Sequence, residues 1–326
     1  MSQLVTIFGG SGFVGRYIAR RMAMEGWRVR VAVRNPNEAM FVRPYGSVGQ
    51  VEPVFCNVRD DASVAEVTAG ADAVVNCVGV LDENGKNTFE AVQAEAPGRI
   101  ARIAAENGVS RMVHISAIGA NTDAASEYSR TKAEGEAAVL EHMPKAMILR
   151  PSIIFCPEDD FFNRFGGMSR FGPVLPVVGA DTKFQPVFVD DVAAAAVKGV
   201  LGEADGLYEL GGPDVESFRD LMQRMLDVVR RRRLIVNIPN LVARFMAAGF
   251  AVGSALTFGI LPRAITADQI KNLAVDNVVA EGAKGLSDLG IRPTAMAAIL
   301  PDYLWRFRPS GQYDAIKESA KNLRDT

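Results

Sequence analysis

Tyr128 and Lys132 stand four residues apart in Tyr-Ser-Arg-Thr-Lys, and Ser116 precedes them. On a helix that spacing puts the phenol and the ammonium on one face. A neighbouring cation favours the phenolate and lowers a tyrosine pKa. Tyr128 can then serve as general acid or base on a carbonyl/alcohol pair, with Ser116 polarising the same oxygen and Lys132 bonding a ribose. Alone, Y-x-x-x-K is a weak pattern that many helices contain by chance. A second set gives it weight. Gly9, Gly10, Ser11, Gly12, Phe13, Val14 and Gly15 follow an apolar run at 4–8 and lead into a helix-spaced run through Val14, Ile18 and Met22. Gly10, Gly12 and Gly15 satisfy G-x-G-x-x-G, and Gly9, Gly12 and Gly15 satisfy G-x-x-G-x-x-G. One glycine permits the sharp turn, one lets a pyrophosphate approach the backbone, and one lets helix and strand pack closely. The helix start then offers amides to phosphates. The alternative is an ordinary tight turn.

Arg34 ends the alternating run 28–33, where an NAD site carries an acid for the ribose 2′-hydroxyl, and Arg16 follows the last glycine. Two guanidinium groups suit a 2′-phosphate, so NADPH is the expected cofactor. The alternative is solvated surface charge.

These residues need a scaffold. Apolar runs at 4–8, 28–33, 51–55, 73–78, 111–115 and 146–149 read as strands, and 63–68, 89–107 and 132–142 read as helices between them. This alternation predicts an α/β fold, a Rossmann-like doubly wound parallel sheet, with a smaller, mainly helical C-terminal domain. Ser116 then sits at the carboxyl end of the fifth strand. The expected domains are 1–212, with 155–179 an excursion into the small domain, and 213–326. Further on, 185–189 and 208–210 have strand character. Ser217 with Asp220 resembles a helix N-cap pair before an amphipathic helix at 221–229.

Composition narrows the classes. The 326 residues are 48% apolar with a net charge of −2, which argues against nucleic acid as the main partner. Cys56, Cys77 and Cys156 lie far apart, fitting a reducing compartment and small core roles. Two histidines exclude a His-rich metal centre, and no metal is expected; His114 reads as a packed strand residue. The first strand begins at residue 4, leaving no room for a signal peptide, so a bacterial cytoplasm is the expected compartment. A different signal lies later. Arg230 to Arg233 form a basic run, and residues 245–261 carry no charge. Such a stretch is at the short limit for crossing a bilayer, and glycines at 249, 253 and 259 interrupt it. A membrane-surface or partner-docking element and a buried helical hairpin are both open readings of 238–263; no true span is expected.

The order Gly9/Gly12/Gly15, Ser116, Tyr128/Lys132 and Arg150-Pro151-Ser152 resembles the short-chain dehydrogenase/reductase superfamily, in its extended or atypical branch. Gln185-Pro186-Val187-Phe188-Val189-Asp190-Asp191-Val192-Ala193 is similar to that branch's late strand-and-helix signature. By this resemblance, further cofactor contacts fall at Asn57, Val58, Val78, Gly79, Pro151, Ser152 and Ile153. Asn57 stands where many members carry an acid beside the adenine.

A narrower resemblance covers almost the whole chain. Phe161-Phe162-Asn163-Arg164-Phe165, Ser169-Arg170-Phe171-Gly172-Pro173 and Lys183-Phe184-Gln185-Pro186-Val187 resemble the nucleotide-binding accessory subunits of respiratory complex I, as do Gly135-Glu136 and the apolar segment after Arg233. That family implies a tightly bound, structural NADPH. It implies core and accessory subunits of complex I and membrane-surface lipids as partners, and a peripheral place on the cytoplasmic face of a bacterial inner membrane. In that setting Ser116, Tyr128 and Lys132 are cofactor anchors. The rival readings are an NADP-dependent reductase, epimerase or dehydratase that uses them catalytically, and a sensor of NADPH status.

Overall fold

Leu4–Phe8 is buried along its whole length, as a central strand covered on both faces must be. In the computed structural model, which describes residues 3–239, 241–243, 245, 266–309 and 311–313, this strand is β1. It joins β2 (Arg28–Val33), β3 (Val51–Phe55), β4 (Ala73–Asn76), β5 (Arg111–Ile115), β6 (Met147–Pro151) and a later strand, β11 (Gly206–Leu210). The sheet order is β11-β6-β5-β4-β1-β2-β3, and every pairing is parallel. The chain runs outward from β1 through β2 to β3, then returns to the other side of β1 at β4. That reversal opens a crevice at the carboxyl ends of β1 and β4.

Helices cover both faces. α1 (Gly15–Met24) packs with α6 (Val189–Leu201), and α3 (Ala96–Glu106) packs with both α2 (Asp61–Thr68) and α4 (Glu127–His142). A buried cluster including Phe8, Val74, Ile100, Met112 and Ile148 ties the sheet to the second layer.

The single helix expected at 89–107 is instead a π-helical turn, Glu90–Glu95, followed by α3. Pro97 has no N–H for the carbonyl one turn back, so the ladder shifts register there. The Gln93 carbonyl faces α4 at Gly135, where a Cβ would stand only 2.0 Å from its oxygen. The fourth strand stops at Asn76 because the Asn76 carboxamide accepts a hydrogen bond from the Val78 amide at 3.0 Å and turns the chain.

The chain forms two compact units. The first is Met1–Ser152, Val189–Gly211 and Val279–Pro293; the second is Ile153–Phe188, Gly212–Val278 and Thr294–Thr326. These bounds differ from 1–212 and 213–326. Residues 279–293 return to the first unit because Glu209 on edge strand β11 donates its amide to the Lys284 carbonyl and accepts the Ala280 amide, each at 2.8 Å.

In the second unit, short strand pairs stand beside helices. They are β7 (Ile154–Phe155) with β10 (Val187–Phe188), β8 (Val174–Val178) with β13 (Leu234–Ile238), and β9 (Lys183–Phe184) with β12 (Glu216–Ser217). α5 (Phe161–Met168) and α7 (Phe218–Val228) pack around a cluster of Phe161, Phe165, Phe184 and Phe218 rings. The Ser217 hydroxyl caps α7 by accepting the Asp220 amide. The four arginines do not form one basic face: Arg230 and Arg232 are exposed, whereas Arg231 and Arg233 are half-buried and donate to the Phe307 and Ser169 carbonyls. Most of the segment 238–263 lies outside the described residues.

Candidate functional site

The glycine loop is built as its spacing requires. Gly9 adopts φ +72°, a conformation that side chains rarely take, and its missing Cβ lets it lie against the Cys77 backbone at the end of β4. A Cβ on Gly15 would stand 2.3 Å from the Gly9 carbonyl oxygen and 2.7 Å from the Gly10 Cα, so only glycine lets α1 start this close to the loop. Turn bonds run from the Gly10 and Gly12 amides to the Ile7 and Gly9 carbonyls. The N-cap of α1 is Val14, which makes no side-chain capping bond, and the first turn carries no acid. By contrast, α4 is capped by Ser126. An uncapped helix start without negative charge beside an exposed Gly12 fits a phosphate group. Ser11 and Phe13 complete the loop, half-buried.

Arg16 reaches back over the loop. Its Nε donates to the Gly12 carbonyl and its Nη2 to the Ser11 carbonyl, both at 3.2 Å, and the guanidinium lies 5.0 Å from the centre of the Phe41 ring. Arg34 is exposed just past β2. Asn57 turns the chain after β3, its Oδ1 accepting the Arg59 amide, and the Val58 carbonyl accepts a bond from Arg99. Val78 and Gly79 follow β4; a Cβ on Gly79 would stand 3.3 Å from the Lys132 Nζ. Pro151 ends β6, and Ser152 donates its amide to the Leu210 carbonyl. Ile153 belongs to the second unit.

Ser116, Tyr128 and Lys132 come together in the first unit. Lys132 Nζ donates to the Ile115 carbonyl at 3.2 Å and lies 6.0 Å from the centre of the Tyr128 ring, which packs edge-on against Phe89. The expected lowering of the tyrosine pKa is corrected here. Burial pushes the Tyr128 phenol up to about 12, and the same burial pulls Lys132 down to about 8 against the opposing pull of Glu136. Desolvation is the largest cause of both shifts. Ser116 is buried, and its hydroxyl donates to Glu136 Oε1. Glu136 in turn takes a two-pronged bond from Arg150 at 2.9 and 2.6 Å, which raises the arginine's pKa. In this arrangement the serine proton points to a carboxylate rather than outward.

A model of the family described as NAD(P)H-binding matches residues 9–152. Over 316 residues the chain is 33% identical to the mitochondrial NADH dehydrogenase (ubiquinone) 1 alpha subcomplex subunit 9 of Arabidopsis thaliana, a match spanning 94% of this chain and 79% of that protein. The chain belongs to the subunit 9 family. The mitochondrial 40 kDa subunit of NADH-ubiquinone oxidoreductase from Neurospora crassa is 30% identical over 98% of this chain and 84% of its own length. Among solved structures, the NADPH-dependent quinone oxidoreductase QOR2 from Escherichia coli, complexed with NADPH, superposes with TM-score 0.69 at 19% identity, covering 92% of this chain and 98% of that one. That likeness is one of fold.

In this subunit 9 relative, sequence reasoning missed three residues that shape the site. Asn76 lies opposite His114 in the sheet and bonds its Nδ1 at 3.1 Å. Glu136, one turn beyond Lys132, gathers Ser116 and Arg150; its i+4 spacing was a visible signal. Phe41 sits in a 3-10 helix, Pro36–Tyr45, whose lack of clean periodicity left no trace to read.

Proposed function

We propose that this chain is an accessory subunit of a proton-pumping NADH:quinone oxidoreductase that holds NADPH without turning it over. The observation that carries this reading is identity to subunits of such an assembly along nearly the whole chain. Gly9 to Gly15 and the uncapped start of α1 would hold the pyrophosphate, with Arg16 and Arg34 at a 2′-phosphate. Asn57, Val58, Val78 and Gly79 would flank the adenosine half. Lys132, Tyr128, Ser116 and the stretch Pro151, Ser152 and Ile153 would border the nicotinamide half. A bound NADPH would offer a transferable hydride at its nicotinamide ring. On the protein side, a phenol raised to about 12 and a serine hydroxyl turned to Glu136 favour anchoring over proton transfer. Binding the native chain alone, the nucleotide would stabilise the fold.

The second unit supports docking at a membrane surface. On β8 and β13, Val174 pairs with Leu234 and Val236 stands two residues on; all three are exposed, as is Phe171. Exposed Arg170, Arg230 and Arg232 belong to the same unit. Basic groups beside exposed apolar residues suit an anionic headgroup layer on the cytoplasmic face of a bacterial inner membrane. No helix among the described residues is long and apolar enough to cross a membrane.

Gentle detergent extraction tests the assembly. The expected result is co-purification with large subunits carrying flavin and iron–sulfur absorbance, and a bound NADPH that neither quinone nor NADH turnover consumes. A single soluble chain that oxidises NADPH at a steady rate would defeat it. The grouping of Ser116, Tyr128 and Lys132 favours a second reading, an NADP-dependent reductase. Loss of NADPH oxidation in Tyr128→Phe, with cofactor still bound, would establish that one instead.

A further inference from the structure

Two buried polar atoms in the first unit find no partner among the described residues: His114 Nε2 and Gln93 Oε1. Each of these residues is only 1% exposed. A buried polar atom left unpaired is costly and uncommon, so each requires an account. The bonds around them fix which one carries a proton. The Val78 amide can only donate, so the Asn76 atom that accepts it at 3.0 Å is Oδ1. Asn76 Nδ2 then faces His114 Nδ1 at 3.1 Å and donates to it. Burial and the Lys132 ammonium keep the imidazole neutral, with its pKa down at about 3, so its single proton sits on Nε2. The Val80 carbonyl can only accept, so Gln93 Nε2 makes that bond at 2.9 Å and Oε1 is left for another donor. His114 thus has a donor without an acceptor, and Gln93 an acceptor without a donor.

Both side chains belong to one layer. Asn76 and His114 pair across β4 and β5, two residues on from Val74 and Met112, whose side chains join the cluster with Ile100 of α3 and Val139 of α4. Gln93 lies in the π-helical turn, its backbone carbonyl against Gly135 of α4 and its carboxamide bonded to Val80 just past β4. Water can accept from the one atom and donate to the other, and internal water makes about three such bonds. A cation would meet the Nε2 proton and the Lys132 charge, and an anion would meet the Gln93 oxygen. We infer that ordered internal water occupies this layer, accepting the proton of His114 Nε2 and donating to Gln93 Oε1. That water fastens the π-helical turn to the sheet. Phe89 leads into the turn and packs edge-on against Tyr128, so the water also steadies one wall of the Ser116, Tyr128 and Lys132 site. The inference is independent of which nucleotide the chain binds.

The test is a high-resolution crystal structure of the full chain, joined to nitrogen-15 NMR of its histidine rings. The expected density is water about 2.7–3.2 Å from His114 Nε2 and from Gln93 Oε1. The chain has two histidines, so His142→Gln leaves His114 as the only ring signal. That signal should show the proton on Nε2 and magnetisation transfer from it to a long-lived water. His114→Phe should abolish the water contact and speed hydrogen exchange of the amides at 90–95 by about tenfold, whereas His142→Gln should leave that exchange unchanged. A proton on Nδ1, a direct bond between His114 and Gln93, or dry density around either atom overturns the inference. Unchanged exchange at 90–95 in a folded His114→Phe chain overturns the fastening of the turn. Should that variant not fold, the wild-type density and ring signal decide the water site on their own.

Discussion

Replacing Gly15 by alanine probes the start of α1 directly. The new Cβ would lie 2.3 Å from the Gly9 carbonyl oxygen and 2.7 Å from the Gly10 Cα. Ordinary contact needs about 3.5 Å, so about 1 Å must come from backbone motion, because no flexible side chain is there to yield. Overpacking of this kind costs about 1–3 kcal/mol, and the better helix propensity of alanine returns at most about 1 kcal/mol. A net loss of about 1–2 kcal/mol in stability is expected. The effect on cofactor is larger. Moving the helix start by about 1 Å takes its amides out of hydrogen-bonding range of a phosphate, and each charge-assisted bond lost is worth about 1.5–3 kcal/mol. NADPH affinity should therefore fall by about ten- to a hundredfold in a fluorescence titration, with a lower denaturant midpoint for the first unit. Gly167→Ala is the control: its Cβ meets nothing closer than 4.0 Å, and NADPH binding should be unchanged. A Gly15→Ala chain with wild-type midpoint and wild-type NADPH affinity would refute the close-packing argument.

Other perturbations address neighbouring groups. Arg34→Glu should cost at least about tenfold in NADPH affinity by setting a carboxylate against the 2′-phosphate, while NADH changes little; isothermal titration of both nucleotides checks this. Glu136→Ala removes the two-pronged partner of Arg150 and the acceptor of Ser116, leaving the arginine its longer contact to Glu209 at 3.6 Å, and should destabilise the first unit by about 2–3 kcal/mol in denaturant melts. Lys132 titrates at about 8 in the fold against 10.5 in the open chain. Between those values the unfolded chain binds more protons, so stability should rise with pH through that window and be lowest, for this group, below it. Wild type measured against Lys132→Met should show the rise, up to about 3 kcal/mol; a flat difference from pH 8 to 10.5 would contradict the burial of the ammonium. His114 carries the same sign at lower pH. Burial and Lys132 push it down to about 3, so stability should fall as pH drops below 6.5, and His114→Gln should blunt that fall in acid unfolding.

The parts of the fold legible in the sequence were those with a strong local period or a rigid steric demand. The runs 28–33 and 111–115 alternate or stay apolar and become β2 and β5 with those bounds. The glycines at 9, 12 and 15 announce strand, turn and helix, and at 9 and 15 a side chain would be strained or would collide with the loop backbone. Ser217 announces α7 through its capping hydroxyl. What escaped depends on distant partners. The return of 279–293 to edge strand β11 is made by Glu209, and nothing local at either place signals it. The two-residue strands of the second unit are too short for any period. The Y-x-x-x-K pair was placed on one helix face as expected, but its electrostatics were not, because burial around Tyr128 and Lys132 is a property of the packed unit.

The most direct measurement is the nucleotide released when the assembly, extracted from its own membranes, is denatured and the extract is resolved by mass spectrometry. About one NADPH per copy of this chain is predicted, its amount and redox state unchanged after the assembly has oxidised excess NADH with quinone. Recovery of NADH in its place, of no nucleotide, or of NADPH consumed during turnover would contradict the proposal.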